Sequence, residues 1–463
     1  MNEELEKILN SNKDELLSSI KEVVKIPSIR GKAEGNAPFG IEVNRALDYT
    51  LELAKDLGFV THRVDGYAGH IHFGNKGKLF GVLGHLDVVP SGEGWGVDPF
   101  DGTIRDGYIF GRGVIDDKGP TIASIYALKA VKEFGLDPKN RVRIIIGTNE
   151  ESGWEGITEY FKHEEKPQMA VTPDAAFPLI YAEKGIINYE ISTGFRNGKN
   201  GVIVKELSGG NASNMVPSHA RAVLQDVDNE TEKLLRTYSP RNKTKITLER
   251  KDDEVIINVE GDSAHGSTPD RGENAIAPLL EMLSKIDLFS KELEIFIRKL
   301  SERIGYETNG KSLGIAGSDD MSGALTVNLG TIELKKNLVN AVINIRYPVF
   351  FNEPRIQSQL KEALKGLDVL GGHHLEPHYV SPDSELVKML TEVYEKTTGN
   401  KADLLTTGGG TYARAVKNAV AFGALFPGRE ETEHKPDERI LIDDLMLLTK
   451  IYANLFYKIL TEW

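Results

Sequence analysis

Four short segments of the chain gather carboxylates and imidazoles in patterns that suit metal binding and acid–base chemistry. The first is Gly84-His85-Leu86-Asp87, which follows the apolar run LFGVLG. Residues two apart on a strand face the same way. Asp87 could therefore hydrogen-bond one nitrogen of His85 while the other nitrogen binds a metal ion; a polar turn after a strand would look the same. The second is Gly111-Arg112-Gly113-Val114-Ile115-Asp116-Asp117-Lys118-Gly119, ahead of a helix. Paired acids at such a place also serve as helix caps favoured by the helix dipole. The third is Thr148-Asn149-Glu150-Glu151-Ser152-Gly153 after the run VRIIIG. Neighbours at a strand end diverge, so one glutamate could hold a metal while the other faces substrate, although a surface acidic turn reads alike. The fourth is Thr172-Pro173-Asp174, with a distant partner in Thr432-Glu433-His434-Lys435-Pro436-Asp437. Gly408-Gly409-Gly410 is either a flexible turn or a backbone-lined substrate loop, and it lacks the Lys-Ser/Thr of a phosphate-binding loop.

The elements that must carry these segments alternate between strand and helix. Residues 43–57 make a helical pattern stopped at Gly58. The run 79–84 is apolar throughout and 142–147 is apolar except for Arg143, as expected of strands buried on both faces. Between them a helix is predicted from about Pro120 to Phe134, with Ile122, Ile125, Leu128 and Val131 at helical spacing and Pro120 in its first turn. The pattern implies an α/β domain with a mostly parallel sheet flanked by helices. The four segments then fall mostly just past strands, and open α/β sheets carry their sites at the carboxyl ends of strands. From about Gly185 the texture changes. Residues 245–260 predict two strands around a turn at Lys251–Asp253, 274–303 a helical stretch, and 338–347 a strand with Ala341, Ile343 and Ile345 on one face and Asn340, Asn344 and Arg346 on the other. That region reads as an α+β domain on an antiparallel sheet. Helices resume after Pro382 and at 444–460, and the N-terminal MNEELEKILNSNKDELL reads as one amphipathic helix.

Composition narrows the chemistry. The 463 residues imply two or three domains. No cysteine is present, which removes thiolate metal sites, disulfides and cysteine nucleophiles, and leaves His, Asp and Glu as ligands. A net charge of −13 argues against a nucleic-acid surface. The charged start is unlike a signal peptide, and no uncharged run reaches the roughly 18 residues that span a bilayer, so the expected setting is cytoplasmic and off the membrane.

The stretches GHLDVVP (84–90), W-x-x-DPF (95–100), GRGVIDDKGP (111–120), NEESG (149–153), TPDAAFP (172–178), YAEKG (181–185), AHGSTP (264–269) and the late His434 run in one order across nearly the whole chain. Together they resemble the co-catalytic dizinc peptidase and amidohydrolase family that includes carboxypeptidase G, aminoacylase and succinyl-diaminopimelate desuccinylase. Within it the chain looks most like the bacterial PepV-type dipeptidases, related to carnosinases; Gly266-Ser267-Thr268 departs from their pattern at a place where the family varies. The resemblance implies a catalytic domain of residues 1–184 and 382–463 with an inserted lid domain at 185–381. By motif, His85 and Asp174 would hold one divalent ion, Glu151 and His434 the other, and Asp116 would bridge both. Asp87 would orient His85, Glu150 would be the general base, and a hydroxide bridging the metals would attack the amide carbon. Two nearby cations repel and need such a shared anionic ligand. Zinc is the expected metal, with manganese or cobalt able to serve. From the lid, His265 would stabilise the tetrahedral oxyanion, while Asn214 and Arg346 would bind the terminal carboxylate of a small peptide, a role that a guanidinium fork suits. An aspartate at position 174 favours a dipeptidase acting on unblocked peptides; the alternative is an N-acyl amino acid deacylase or desuccinylase using the same site. A monomer is expected, because a large lid can close the site without a partner.

Overall fold

In a computed structural model, which describes residues 3–196, 198 and 200–463, the two apolar runs lie side by side as parallel strands. Leu79–His85 pairs with Arg141–Gly147 from Leu79↔Arg141 to His85↔Gly147. Every residue of the first strand is buried, as is all of the second except its leading arginine. Met169–Thr172 lies parallel on the other side of Leu79–His85, and Ala419–Ala421 lies parallel beyond it. The antiparallel hairpin Val60–Val64 and Ala68–Phe73 extends this nine-stranded sheet from Arg141–Gly147. A mixed sheet with a parallel centre therefore presents several strand carboxyl ends along one edge.

The helix after the DDKG segment spans Lys118–Glu133, two residues earlier than the periodicity predicts. Each residue from Lys118 to Val131 is buried, because this helix is enclosed on all sides and packs along the C-terminal helix Ile442–Thr461. Its approach to the sheet requires Gly84, where a Cβ would lie 2.1 Å from Thr121 Oγ1. The N-terminal segment forms two helices, Glu3–Ser11 and Lys13–Val24, where one was expected. Asn12 at the break is buried, giving Nδ2–H to Glu133 and accepting from Lys129 Nζ. Apolar spacing continues across this break, so periodicity alone does not reveal it.

Two compact units make up the chain. One contains Met1–Tyr181, His378–Leu405 and Thr411–Trp463, and the other Ala182–Pro377 with Thr406–Gly410. The second is built on an eight-stranded sheet whose neighbouring strands are antiparallel, running 245–251, 254–260, 219–225, 203–209, 326–335, 338–347, 185–194 and 368–375. The expected helical stretch 274–303 divides into Ile276–Leu283 and Lys291–Arg303, the latter capped by Ser290, whose hydroxyl accepts the Leu293 N–H. Both helices bury leucines, isoleucines and Phe296 against the sheet. Among the described residues no helix is long and apolar enough to cross a membrane.

Candidate metal centre

Three strands of the parallel centre deliver side chains to one place. His85 is the last residue of its strand, Glu150 and Glu151 follow Arg141–Gly147, and Asp174 follows Met169–Thr172. Asp116 comes from the loop before the helix Lys118–Glu133, and His434 from the loop before the strand Arg439–Leu441. Two donor clusters result: His85, Asp116 and Asp174 in one, and Asp116, Glu151 and His434 in the other, with the ligand atoms of each within 4.8 Å of one another. His85 Nε2 lies 3.0 Å from Asp116 Oδ1 and 3.6 Å from Asp174 Oδ2. His434 Nε2 lies 2.9 Å from Asp116 Oδ2 and 3.0 Å from Glu151 Oε1. The two oxygens of one carboxylate thus face two different clusters.

Crowding shapes the charges here. Burial pushes the Glu150 carboxyl well above the usual range, and Asp174 adds to the shift. Asp174 itself rises to about 7 through burial and repulsion from Asp116. For Asp116 burial works in the same direction, but hydrogen bonds from His434 and His85 outweigh it and hold this carboxyl low. Imidazole nitrogens and carboxylate oxygens are the donor set that zinc, manganese and cobalt share. A cation among these carboxylates would replace their mutual repulsion with attraction, so the residues fit divalent metal ions. Glu150 belongs to neither cluster among the described residues.

Asp87 meets His85 through both its main chain and its carboxylate. His85 Nδ1 approaches the main-chain carbonyl of Asp87 at 2.9 Å, whereas the nearest carboxylate oxygen is 3.5 Å away. The Asp87 carboxylate also accepts the backbone N–H groups of Glu150 (3.0 Å) and Glu151 (3.1 Å). These donors belong to the segment that follows the neighbouring strand Arg141–Gly147, which the i, i+2 rule alone does not see. Asp117 stands at the N-cap of its helix, but its side chain caps no backbone N–H; its Oδ2 accepts from His85 N (3.2 Å) and Thr121 Oγ1 (2.8 Å). Two further residues were missed from sequence. Tyr412, fully buried, sets its ring edge-on to His85 with centroids 6.2 Å apart. Glu438, also fully buried, accepts from Arg112 and from the loop that carries Asp116. Its position one residue past the Thr432–Asp437 stretch was the only signal available.

In the second unit, Arg346 is 4% exposed, and its polar strand face is an interior one. Its Nε donates to Asn344 Oδ1 (2.7 Å) and its Nη1 to Gly408 O (2.8 Å), so the triple glycine lies against this arginine. A Cβ on Gly408 would sit 2.7 Å from that of Ser267. Asn214 is exposed, and its carbonyl accepts the N–H of Gly266 at 2.6 Å. His265 Nδ1 accepts the N–H of Ser267 at 3.3 Å and lies 2.6 Å from its hydroxyl, which puts the ring proton on Nε2. Asn328 Nδ2 donates to the carbonyls of Ser213 and Met215 (both 2.8 Å) and so brackets Asn214.

The two donor clusters could hold divalent ions, and residues 81–458 match Peptidase family M20/M25/M40. The chain belongs to that family. Over 99% of its length it is 41% identical to "Putative dipeptidase YtjP" of Bacillus subtilis (strain 168), all of which is covered. Among solved structures it is similar to human carnosine dipeptidase 1, with a TM-score of 0.62 at 17% identity and 98% of each chain covered. It is also similar to the di-peptidase Dug1p of Saccharomyces cerevisiae, with a TM-score of 0.60 at 17% identity and 99% of each chain covered. At these identities the two structures speak for the fold.

Proposed function

We propose that the protein is a dipeptidase that cleaves the amide bond of small unblocked peptides with two divalent metal ions, zinc foremost. The single observation that carries this reading is the placement of Asp116, with Oδ1 at 3.0 Å from His85 Nε2 and Oδ2 at 2.9 Å from His434 Nε2. One carboxylate shared between two donor sets is what a pair of mutually repelling cations needs. His85 and Asp174 would hold one ion with it, and Glu151 and His434 the other. Bound there, the ions would acidify water toward neutral pH and polarise the scissile carbonyl, which no side chain here can do unaided. Glu150, outside both clusters, would take a proton from the attacking water on its carboxylate and pass it to the departing amine nitrogen.

For the second unit the reading assigns substrate recognition. The guanidinium of Arg346, oriented by Asn344 and Gly408, would pair with the peptide's terminal carboxylate, assisted by Asn214. His265, with its proton on Nε2, would donate to the oxyanion. Support for a dipeptide comes from Asp174 and from the name carried by the Bacillus relative. Parallel assays of Ala-Ala and N-acetyl-Ala with zinc-loaded protein, repeated after chelation, test the proposal. Hydrolysis of Ala-Ala that disappears on chelation and returns with zinc is expected. Preferential hydrolysis of N-acetyl-Ala would make the protein a deacylase, and activity that survives removal of all metal would end the metal mechanism.

A further inference from the structure

Glu438 stands four residues after His434, fully buried and outside both donor clusters. Its Oε1 accepts the backbone N–H groups of Gly113 (2.9 Å), Ile115 (3.2 Å) and Asp116 (3.4 Å). Its Oε2 accepts from Arg112 Nη1 at 2.6 Å, and its main-chain carbonyl accepts the N–H of Gly111 at 3.0 Å. Arg112 is itself held, donating from Nη2 to Ser91 O at 3.1 Å and lying 5.2 Å from the ring centre of Trp95. Residues 111–117 form neither strand nor helix, so their N–H groups have no ladder to join and need another acceptor. Gly113, at φ +88°, bends the chain so that successive N–H groups turn toward one oxygen, the local concavity that binds anions. An anion supplied from the His434 segment fills it.

His85 is set by the sheet. Asp116 and His434 are not, because both come from irregular loops, and Glu438 ties the backbone of one loop to the other. We propose that Glu438 is a positioning residue for the metal centre, holding the Asp116 carboxylate and the His434 imidazole in register by gathering the N–H groups of the 111–117 loop. This rests on the dinuclear reading given above. An outer partner of this kind typically changes metal affinity by about 10–100-fold when it is altered. A residue that served folding alone would change thermal stability and leave the affinity of the folded protein untouched.

Equilibrium zinc titration against a competing chelator, well below the unfolding temperature, separates these roles. Glu438→Gln has one acceptor oxygen to offer either the N–H groups or Arg112, and its amide N–H would face other donors. Glu438→Asp keeps a carboxylate for Arg112 but is one methylene too short to reach all its partners. Circular dichroism identifies the folded variants. Wild-type protein is expected to bind two zinc ions, and each folded variant to bind at least one of them about 10–100-fold more weakly. Excess zinc should then restore turnover with KM near the wild-type value. Wild-type zinc affinity in either folded variant overturns the proposal, whatever happens to the melting temperature. Wild-type protein that binds fewer than two ions overturns the dinuclear reading and this proposal with it, so the two failures are told apart by the wild-type titration.

Discussion

Asp87→Asn distinguishes an aspartate that orients His85 from one that orients the Glu150–Glu151 segment. Its carboxylate is 1% exposed and receives the N–H of Glu150 on one oxygen (3.0 Å) and that of Glu151 on the other (3.1 Å). The His85 ring rests on the Asp87 main-chain carbonyl, which an asparagine retains. In the variant one side-chain oxygen remains an acceptor and the other becomes an N–H group facing a backbone N–H. A hydrogen bond to a charged group contributes about 1.5–3 kcal/mol. Losing one therefore corresponds to a factor of about 10–100, at 1.4 kcal/mol per decade. That loss falls on the segment carrying Glu151, and hence on the cluster it forms with His434 and Asp116. Zinc titration in two backgrounds measures it. In the wild-type background Asp87→Asn should weaken one of two ions by this factor. In a Glu151→Gln background, where that cluster is already damaged, it should add little to the affinity for the remaining ion. An equal loss in both backgrounds would show that Asp87 acts through His85, and would refute the argument from the backbone donors.

Glu150→Gln should retain both zinc ions by elemental analysis yet lose about 10²–10⁴-fold in turnover, the usual contribution of a general base; near-normal turnover would reassign the proton transfer. Arg346→Ala should mainly raise KM, because a carboxylate partner is held in ground and transition states alike, and a dipeptide amidated at its C-terminus should behave the same way with wild-type enzyme. Equal hydrolysis of the free and amidated peptides would remove Arg346 from substrate binding. Away from the metal centre, burial together with Arg143, His62 and His72 lowers His70 to about 3 from its ordinary 6.5, while its Nδ1 contacts Tyr160 Oη at 2.9 Å. Since the unfolded chain takes up this proton below pH 6.5 and the folded one does not until about 3, stability should fall by about 1.4 kcal/mol per pH unit across that window. Urea unfolding of wild type and His70→Gln at pH 6.5 and 5.0 checks this. The wild type should lose about 2 kcal/mol more than the variant over that interval, and parallel losses would contradict it.

Much of this protein is written locally. LFGVLG and VRIIIG announce buried strands because, Arg143 apart, they are short unbroken runs of apolar residues, and they pair in parallel in the structure. The alternation in LVNAVINIRY likewise specifies a strand with Asn344 and Arg346 on a common face. Ligand types follow from composition, since a chain without cysteine has no thiolate to offer a metal and leaves His, Asp and Glu as the main ligands. Tertiary structure decided what these residues meet. Glu151 and His434 lie 283 positions apart, and Arg112 and Glu438 lie 326 apart, separations at which no local pattern carries information. The direction of the Asp87 carboxylate shows the same limit, because a strand's two-residue periodicity gives the face of a side chain but not the backbone donors that a neighbouring strand brings to it. The break at Asn12 is a third case: its helical spacing is uninterrupted, and only burial against Lys129 and Glu133 separates one helix into two. Sequence sets the propensities and the chemistry available along the chain. Which of those groups converge is decided when the sheet buries its apolar strands and the loops at their ends must satisfy their own hydrogen bonds.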